Sequence, residues 1–192
     1  MMKLVKRSYG LVLAMLLLPA AAWGNDETAW AALKSGQHVV LIRHAQTEAG
    51  VGDPEGFVLG NCATQRNLAA SGRADAALIG KAFRDRKIAI DKVLSSRWCR
   101  CLDTARIAFG EITPSVMLDS LFNVPGKLAD EKISEVHAYM KTWKAPGNLV
   151  MVTHDVNIRL LTGQSVGSGE MVVTRYEAGQ FKVVQRINVP RS

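Results

Sequence analysis

Two histidines in the sequence each follow a short apolar run that gives way abruptly to polar residues. Residues 39–42 (Val-Val-Leu-Ile) lead into Arg43 and His44, and residues 149–153 (Leu-Val-Met-Val-Thr) lead into His154. Apolar, β-branched runs of this length predict strands that are buried on both faces, as in a parallel sheet. Because ligands bind beyond the carboxyl ends of parallel strands, we expect both histidines to reach one rim of the sheet.

A third polar segment is expected at the same rim. Ser96, Arg100 and Thr104 are spaced by four at the start of a predicted helix, so their side chains share one face. Arginine binds phosphate oxygens in bidentate fashion and stays charged, and a neutral imidazole can attack phosphorus. Arginines beside two histidines therefore suit phosphoryl chemistry, in which the charge of the phosphate must be offset before a nucleophile approaches.

Several of these segments resemble the histidine phosphatase superfamily, in order along nearly the whole chain after residue 24. Residues 43–47 (Arg-His-Ala-Gln-Thr) look like its Arg-His-Gly-x-Thr signature, and residues 67–73 look like its Leu-Thr-x-x-Gly segment. Residues 96–105 resemble its Ser-x-x-x-Arg-Ala-x-x-Thr-Ala segment, and His154 matches its second histidine. Ala45 departs from the usual glycine, and its methyl group would narrow the approach of the backbone to phosphate.

The resemblance implies a role for each of the matching side chains. His44 is the expected nucleophile and forms a phosphohistidine that water later cleaves. Arg43 and Arg100 are expected to bind and neutralise the phosphate, and Thr47 is assigned to the same phosphate site. His154 is expected to donate a hydrogen bond to the phosphate and to be cationic when substrate is bound.

The leaving alcohol needs a proton, and Asp155 is the predicted general acid. This assignment follows the acid phosphatase branch of the superfamily, where an aspartate also follows the second histidine. The alternative is that Asp155 caps the helix that follows it. Glu111 and Glu48 are the other candidates for the acid.

The pattern along the chain predicts an α/β fold, a three-layer α/β/α sandwich with a mainly parallel central sheet and a C-terminal β-hairpin. The predicted helices are residues 26–33, 71–86, 98–109, 129–144 and 157–161, and the predicted strands are residues 39–42, 88–94, 116–118, 149–153, 170–176 and 180–188. Residues 45–67 form a long polar loop, a length that is more often functional than idle. Residues 48–66 and 119–128 are expected to shape the pocket for the leaving group. His38 and His137 are expected at the surface.

Residues 1–24 have the order of a secretory signal peptide, with a basic start, an apolar run over residues 11–18 and small residues before the cleavage site. Cleavage is predicted after Gly24, with cleavage after Ala22 or an uncleaved anchor as alternatives. The apolar run is shorter than the roughly 20 residues of a spanning helix, so no membrane span is expected after cleavage. Residues 25–192 then form one periplasmic or secreted histidine phosphatase domain.

The formal charge also bears on the choice of ligand. Removal of the three basic residues of the signal peptide lowers the net charge from +7 to +4, which suits an anionic substrate. No stripe of Lys and Arg interleaved with aromatic residues is present, so nucleic acid is not an expected partner.

Three cysteines, Cys62, Cys99 and Cys101, bear on compartment and on metal binding. An exported protein meets an oxidising compartment, so one disulfide and one remaining thiol are expected. Cys101 stands where the superfamily usually has alanine and is expected to be a small buried thiol, which leaves Cys99 to pair with Cys62 and pin the long loop. Pairing of Cys62 with Cys101 is the alternative. No metal is expected, because Cys99 and Cys101 are too close in sequence for a zinc finger, and no cofactor is expected.

The predicted function is that of a phosphomonoesterase that hydrolyses phosphate esters through a phosphohistidine intermediate. Its substrates would be small-molecule or glycan phosphomonoesters, such as sugar phosphates of the cell envelope. One alternative is a phosphohistidine protein phosphatase, against which export argues, because such signalling is mainly cytosolic. The other is a non-catalytic phosphate-binding module, which is disfavoured because every residue needed for phosphohistidine chemistry is present. Mutase activity is not expected, since its phosphorylated cofactor would not be retained outside the cell.

Overall fold

The computed structural model describes residues 24–189. The predicted signal peptide, apart from Gly24, lies outside the described residues. The helices are α1 (Gly24–Lys34), α2 (Ala70–Asp85), α3 (Cys99–Phe109), α4 (Gly126–Thr142) and α5 (Asp155–Thr162), and the strands are β1 (Val39–Arg43), β2 (Ile90–Ser95), β3 (Thr113–Pro114), β4 (Asn148–Thr153), β5 (Met171–Glu177) and β6 (Gln180–Ile187). None of the described helices is both long and apolar enough to cross a membrane.

Within the described residues, the strands form one six-stranded sheet in the order β3-β2-β4-β1-β5-β6. The pairs β3–β2, β2–β4 and β4–β1 are parallel, whereas β1–β5 and β5–β6 are antiparallel. The β5–β6 hairpin turns at Ala178 and Gly179, which both have positive φ (50° and 78°), as a tight two-residue turn requires. The predicted mainly parallel sheet with a C-terminal hairpin is therefore confirmed.

Alternate side chains of the central strands enter two different cores, which makes the fold three-layered. Val40, Ile42, Val150 and Val152 pack on the side of α1, α2 and α3. Their neighbours in the strands, among them Leu41, pack on the side of α4 and α5. Because both faces of β1 and β4 are covered, these strands consist of apolar runs without a polar face.

The sheet register brings the ends of three strands to one line. Arg43 of β1 is opposite Thr153 of β4, so His44 and His154 leave the sheet side by side. Ser95 of β2 is opposite Val152, and the backbone N–H of the next residue, Ser96, donates to the carbonyl of Val152 (2.9 Å). The carboxyl rim of the sheet therefore carries both histidines and the start of the segment that leads to Arg100.

Two expectations about local structure are wrong, one for a segment and one for a single residue. Residues 116–118 are not a strand but a 3₁₀ turn, with Met117 and Leu118 buried in the core on the α4 side, and the adjacent edge strand is Thr113–Pro114. His38 is not at the surface. It is buried, with Nδ1 against the Gly36 carbonyl (2.7 Å) and Nε2 accepting from Nε of Arg175 (3.1 Å).

The expectation that His137 lies at the surface is also wrong in part. His137 is half-buried, and its Nδ1 lies 3.0 Å from the hydroxyl oxygen of Tyr176. Its ring also packs against Phe181 with 5.6 Å between the centroids. His137 is therefore part of a small aromatic cluster between α4 and the hairpin.

Candidate active site

His44 is held at the end of β1 by one hydrogen bond of its backbone and one of its ring. Its N–H donates to the carbonyl of Thr153 (3.0 Å), which extends the β1–β4 ladder by one residue. Its ring Nδ1 lies 2.9 Å from the carbonyl of Ala45. Since a carbonyl only accepts, Nδ1 carries the proton, and Nε2 is left with the lone pair of a neutral ring.

The environment keeps this ring neutral. Burial lowers the pKa of His44 to about 3, and the charges of Arg100, Arg43 and Arg66 act in the same direction. The hydrogen bond to the Ala45 carbonyl opposes this shift without reversing it. A neutral imidazole at physiological pH is the form that can act as a nucleophile.

His154 lies beside His44, with 5.4 Å between the ring centroids. It immediately precedes α5, and its Nε2 is 3.0 Å from Oγ of Ser96 and 3.5 Å from Sγ of Cys101. Burial lowers its pKa well below the ordinary value, and the neighbouring His44 and the arginines add to the shift. His154 is therefore also neutral in the structure without ligand, whereas the sequence-based expectation of a cation applies to the complex with substrate.

Arg43 and Arg100 both present buried guanidinium nitrogens to this region. Arg43 donates from Nη1 to the carbonyl of Val166 (2.7 Å), and Arg100 donates from Nη1 to Oδ1 of Asp53 (2.7 Å). The Nε atoms of both arginines are buried without a hydrogen-bond partner among the described residues. An N–H that is removed from water and unpaired is costly, so each is suited to an anionic ligand.

Ala45 is accommodated without strain. Its φ is not positive, and its N–H donates to Oγ1 of Thr104 (3.0 Å), one turn along α3 from Arg100. The beginning of α2 packs equally closely, because a Cβ at Gly72 would lie 1.9 Å from the carbonyl oxygen of Gln46. The segment after His44 is therefore packed tightly between α2 and α3.

Thr47 is buried, and its Oγ1 accepts a hydrogen bond from Nη1 of Arg66. Arg66 is a third arginine of the site, which the sequence analysis did not identify. Its charge lowers the pKa of both His44 and His154, as do those of the two predicted arginines. The only signal for it in the sequence is its position directly before the segment 67–73 that resembles the superfamily.

Asp53 is a second residue that the sequence analysis did not identify. Its carboxylate accepts hydrogen bonds from Arg100 Nη1 (2.7 Å), Trp98 Nε1 (2.9 Å) and the backbone N–H of Arg66 (3.0 Å). Burial opposes its ionisation, but these donors hold its pKa below the ordinary value. The indole of Trp98 in turn contacts the ring of His154, with 5.6 Å between centroids.

Asp155, the predicted general acid, points to a neighbouring loop. Its Oδ1 accepts from the N–H of Val166 (2.6 Å), and both carboxylate oxygens accept from Oγ of Ser165 (2.9 and 3.0 Å). It makes no capping bond within α5, so the capping alternative is wrong. Because Val166 also accepts from Arg43, Asp155 is connected to the phosphate-binding candidates through this loop.

The two rival carboxylates lie elsewhere. Glu48 is exposed; its backbone N–H donates to the carbonyl of Asn67 (3.0 Å), and its carbonyl accepts from Nη1 of Arg66 (3.3 Å). Glu111 follows the C-terminal end of α3 and lines a groove with Ile90, at the opposite end of β2 from Ser96. Glu111 is therefore not brought to the site.

The long loop is covalently attached to the start of α3. Cys62 and Cys99 form a disulfide with 5.6 Å between their Cα atoms, and Cys101 is a free, buried thiol. Burial raises the pKa of Cys101 to about 12, so it stays protonated and unreactive. Because Cys99 is the residue next to Arg100, the disulfide attaches the loop beside a phosphate-binding candidate.

Together these residues place arginine donors beside a neutral imidazole, an arrangement that suits an anionic ligand. No group of side chains in the described range could hold a metal ion. A family model described as "Histidine phosphatase superfamily (branch 1)" matches residues 39–123. This segment, which includes Arg43, His44 and Arg100, is therefore similar to the histidine phosphatase superfamily.

Solved structures share the fold at low sequence identity. The protein histidine phosphatase SixA complexed with tungstate is 13% identical, with a TM-score of 0.56 over 79% of this chain and 96% of its own. The α-ribazole phosphatase from Shigella flexneri is 14% identical, with a TM-score of 0.56 over 81% and 98%. The open reading frame Rv3214 from Mycobacterium tuberculosis is also 14% identical, with a TM-score of 0.58 over 81% and 98%. A search of curated proteins found no significant match.

Proposed function

We propose that this protein is an exported phosphomonoesterase that hydrolyses phosphate esters through a phosphohistidine on His44. The observation that carries the proposal is the neutral ring of His44, whose Nδ1 is bonded to the Ala45 carbonyl and whose Nε2 is left to attack. The unpaired Nε atoms of Arg43 and Arg100 supply donors for the phosphate oxygens. Two of the solved structures with this fold are named as phosphatases, which agrees with the proposal.

In the first step, Nε2 of His44 attacks phosphorus and the bond between phosphorus and the ester oxygen breaks. Arg43 and Arg100 stabilise the charge on the transferring group, together with His154 once the phosphate has made its ring cationic. Thr47 belongs to the same phosphate site. The departing oxygen takes a proton from Asp155 when the alcohol is a poor leaving group.

In the second step, water attacks the phosphohistidine, inorganic phosphate leaves, and Nε2 of His44 regains its lone pair. Asp155 would then accept a proton from the attacking water, which restores it for the next cycle. No cofactor enters either step. The two-step path replaces one difficult displacement by two easier ones.

The proposed setting is the periplasm or the exterior of the cell, with small-molecule or glycan phosphomonoesters as substrates. Residues 1–24 support export through their order of basic, apolar and small residues. The Cys62–Cys99 disulfide supports it independently, because such bonds persist in oxidising compartments. N-terminal sequencing of the protein from a periplasmic fraction would test this part, and a start at residue 1 would contradict cleavage.

The nucleophile is tested by His44→Ala in the purified mature protein. We expect turnover of p-nitrophenyl phosphate to fall on the order of a thousandfold or more, because the covalent step is lost. Acid-labile phosphate should be trapped on the wild type and not on the variant. The control is His137→Ala, since His137 packs against Tyr176 outside the arginine cluster.

The same assay separates the alternatives. If the wild type acted only on a phosphohistidine peptide, the substrate would be a phosphorylated protein and not a phosphate ester. Binding of inorganic phosphate without turnover of any ester in a broad panel would indicate a non-catalytic module. Full activity of His44→Ala would eliminate the proposed mechanism.

A further inference from the structure

Residues 48–66 form a loop that we call the strap, because its last part is fastened to the start of α3 beside the site. The Cys62–Cys99 disulfide joins it to the first residue of α3. The side chain of Gln65 in the strap adds a second link, since its Oε1 accepts from the backbone N–H of Cys99 (2.9 Å). A loop fastened in this way can hold side chains over the site at defined positions.

Arg66, the last residue of the strap, is held by three acceptors. Its Nη1 donates to Oγ1 of Thr47 and to the carbonyl of Glu48 (3.3 Å), and its Nε donates to the carbonyl of Gly52 (2.8 Å). These bonds fix the plane of the guanidinium. The third nitrogen, Nη2, makes no hydrogen bond within the described part of the chain.

The charge of Arg66 is placed with that of Arg43 and Arg100. All three arginines act on the same two rings, because each lowers the pKa of both His44 and His154. Arg66 itself has a lowered pKa, caused first by burial and then by the nearby Arg100. Three arginines in one pocket repel one another unless an anion lies between them.

Asp53 is part of what keeps these cations together. It forms a buried ion pair with Arg100, with side chains 7% and 5% exposed, and also accepts from the backbone N–H of Arg66. Before phosphate binds, both histidines are neutral, and the three arginines with one carboxylate leave two positive charges in excess. That excess equals the charge of a phosphomonoester dianion and exceeds that of a phosphodiester, which carries one negative charge.

We propose that Arg66 is a further phosphate-binding residue, held in place by the strap, and that with Arg43 and Arg100 it selects dianionic phosphomonoesters over monoanionic diesters. This proposal depends on the proposed function, since it assigns Arg66 to the same phosphate pocket. Nη2 of Arg66 contacts a non-bridging phosphate oxygen. Asp53 is a positioning residue that spaces Arg66 and Arg100 and does not touch the substrate.

Binding of inorganic phosphate, measured by calorimetry at pH 8 on the purified mature protein, tests the proposal without requiring turnover. Arg66→Gln should weaken phosphate binding about tenfold or more, as expected for loss of a charge-assisted hydrogen bond. Arg66→Lys, which keeps the charge but not the fork, should lie between Arg66→Gln and the wild type. The matched control is Arg106→Gln, because Arg106 is exposed near the far end of α3.

Hydrolysis of p-nitrophenyl phosphate and bis(p-nitrophenyl) phosphate tests the selectivity. The ratio of kcat/KM for the monoester to that for the diester should fall about tenfold in Arg66→Gln and stay unchanged in Arg106→Gln. An unchanged ratio, or phosphate affinity equal to that of the wild type, would overturn the role of Arg66.

The outcomes distinguish this proposal from the proposed function. A wild type that neither binds phosphate nor hydrolyses any monoester would eliminate both. A wild type that does both, with an Arg66→Gln variant that matches it, would eliminate only the role of Arg66. If Arg66→Gln fails to fold, as judged by circular dichroism, Arg66→Lys provides the test, and equal phosphate affinity there would contradict a requirement for the guanidinium fork.

Discussion

At the scale of single residues, Asp155 could act in two ways that its contacts make separable. As a general acid it would protonate the leaving oxygen, and this matters most for a poor leaving group. As a positioning residue it would hold Ser165 and Val166, and through Val166 it would hold Arg43, which matters equally for every substrate. The two roles therefore differ in how the loss depends on the leaving group.

We predict that Asp155→Asn slows hydrolysis of alkyl phosphates severely and largely spares aryl phosphates with acidic phenols. The ratio of kcat/KM for the two substrates, in variant and wild type, is the measurement. Ser165→Ala serves as the control, because it removes the hydroxyl that donates to both carboxylate oxygens and keeps the carboxylate itself. An equal loss for both substrates would assign Asp155 to positioning of the 165–166 loop.

The sequence predicted the matching residues of the site better than the residues of the strap. Arg43 ends β1, and His44 and His154 follow buried strands, so the sheet register alone brings them to one rim. Asp53 and Arg66 lie in a segment without periodicity, and their ion pair and hydrogen bonds depend on how the strap folds back onto α3. Residue type cannot predict such contacts, because many paths of a long loop are compatible with the same sequence.

At the scale of elements, long periodic segments were predictable and short ones were not. The helix predicted over residues 71–86 is Ala70–Asp85, because its apolar positions recur at helical spacing. The three apolar residues 116–118 fit a strand equally well by composition, yet they form a 3₁₀ turn that inserts Met117 and Leu118 beneath α4. Tertiary packing decides the conformation of so short a run.

The disulfide gives a prediction at this scale, since it closes a loop with a sequence separation of 37 residues. Replacing it by Cys62→Ser with Cys99→Ala should lower the free energy of unfolding by roughly 2 to 4 kcal/mol, as measured by urea denaturation. Phosphate affinity should fall as well, because the strap that holds Arg66 and Asp53 loses its anchor. Reduced wild type should behave like the variant.

Thiol counting provides an independent check of this bridge. Unfolded but unreduced wild type should give one reactive thiol, that of Cys101, which is buried and unreactive in the folded protein. Three reactive thiols in protein isolated from the periplasm would contradict the disulfide. Unchanged stability of the double variant would show that the bridge does not constrain the fold.

At the scale of the whole molecule, the pKa values of the histidines are all shifted in one direction. Burial is the largest cause of a lowered pKa at His38, His44, His137 and His154, which are the four histidines of the sequence. The unfolded chain, with ordinary histidine pKa values near 6.5, therefore binds more protons than the folded chain below that pH. The protein accordingly loses stability as pH falls, and the loss begins at the ordinary pKa and continues toward the lowered one.

We predict that the free energy of unfolding decreases steadily between pH 6 and pH 4.5. His44 alone should contribute about 1.4 kcal/mol per pH unit over this window, because its folded pKa of about 3 lies below it and its unfolded pKa lies above it. Carboxyl groups begin to titrate at the lower end of this window, so the difference between wild type and His44→Gln isolates the contribution of His44. Urea denaturation at several pH values measures the slope, and His44→Gln should reduce it by about 1.4 kcal/mol per pH unit. A stability that is constant or increases on acidification would mean that the two site histidines are not held neutral, and the neutral nucleophile would then have to be abandoned.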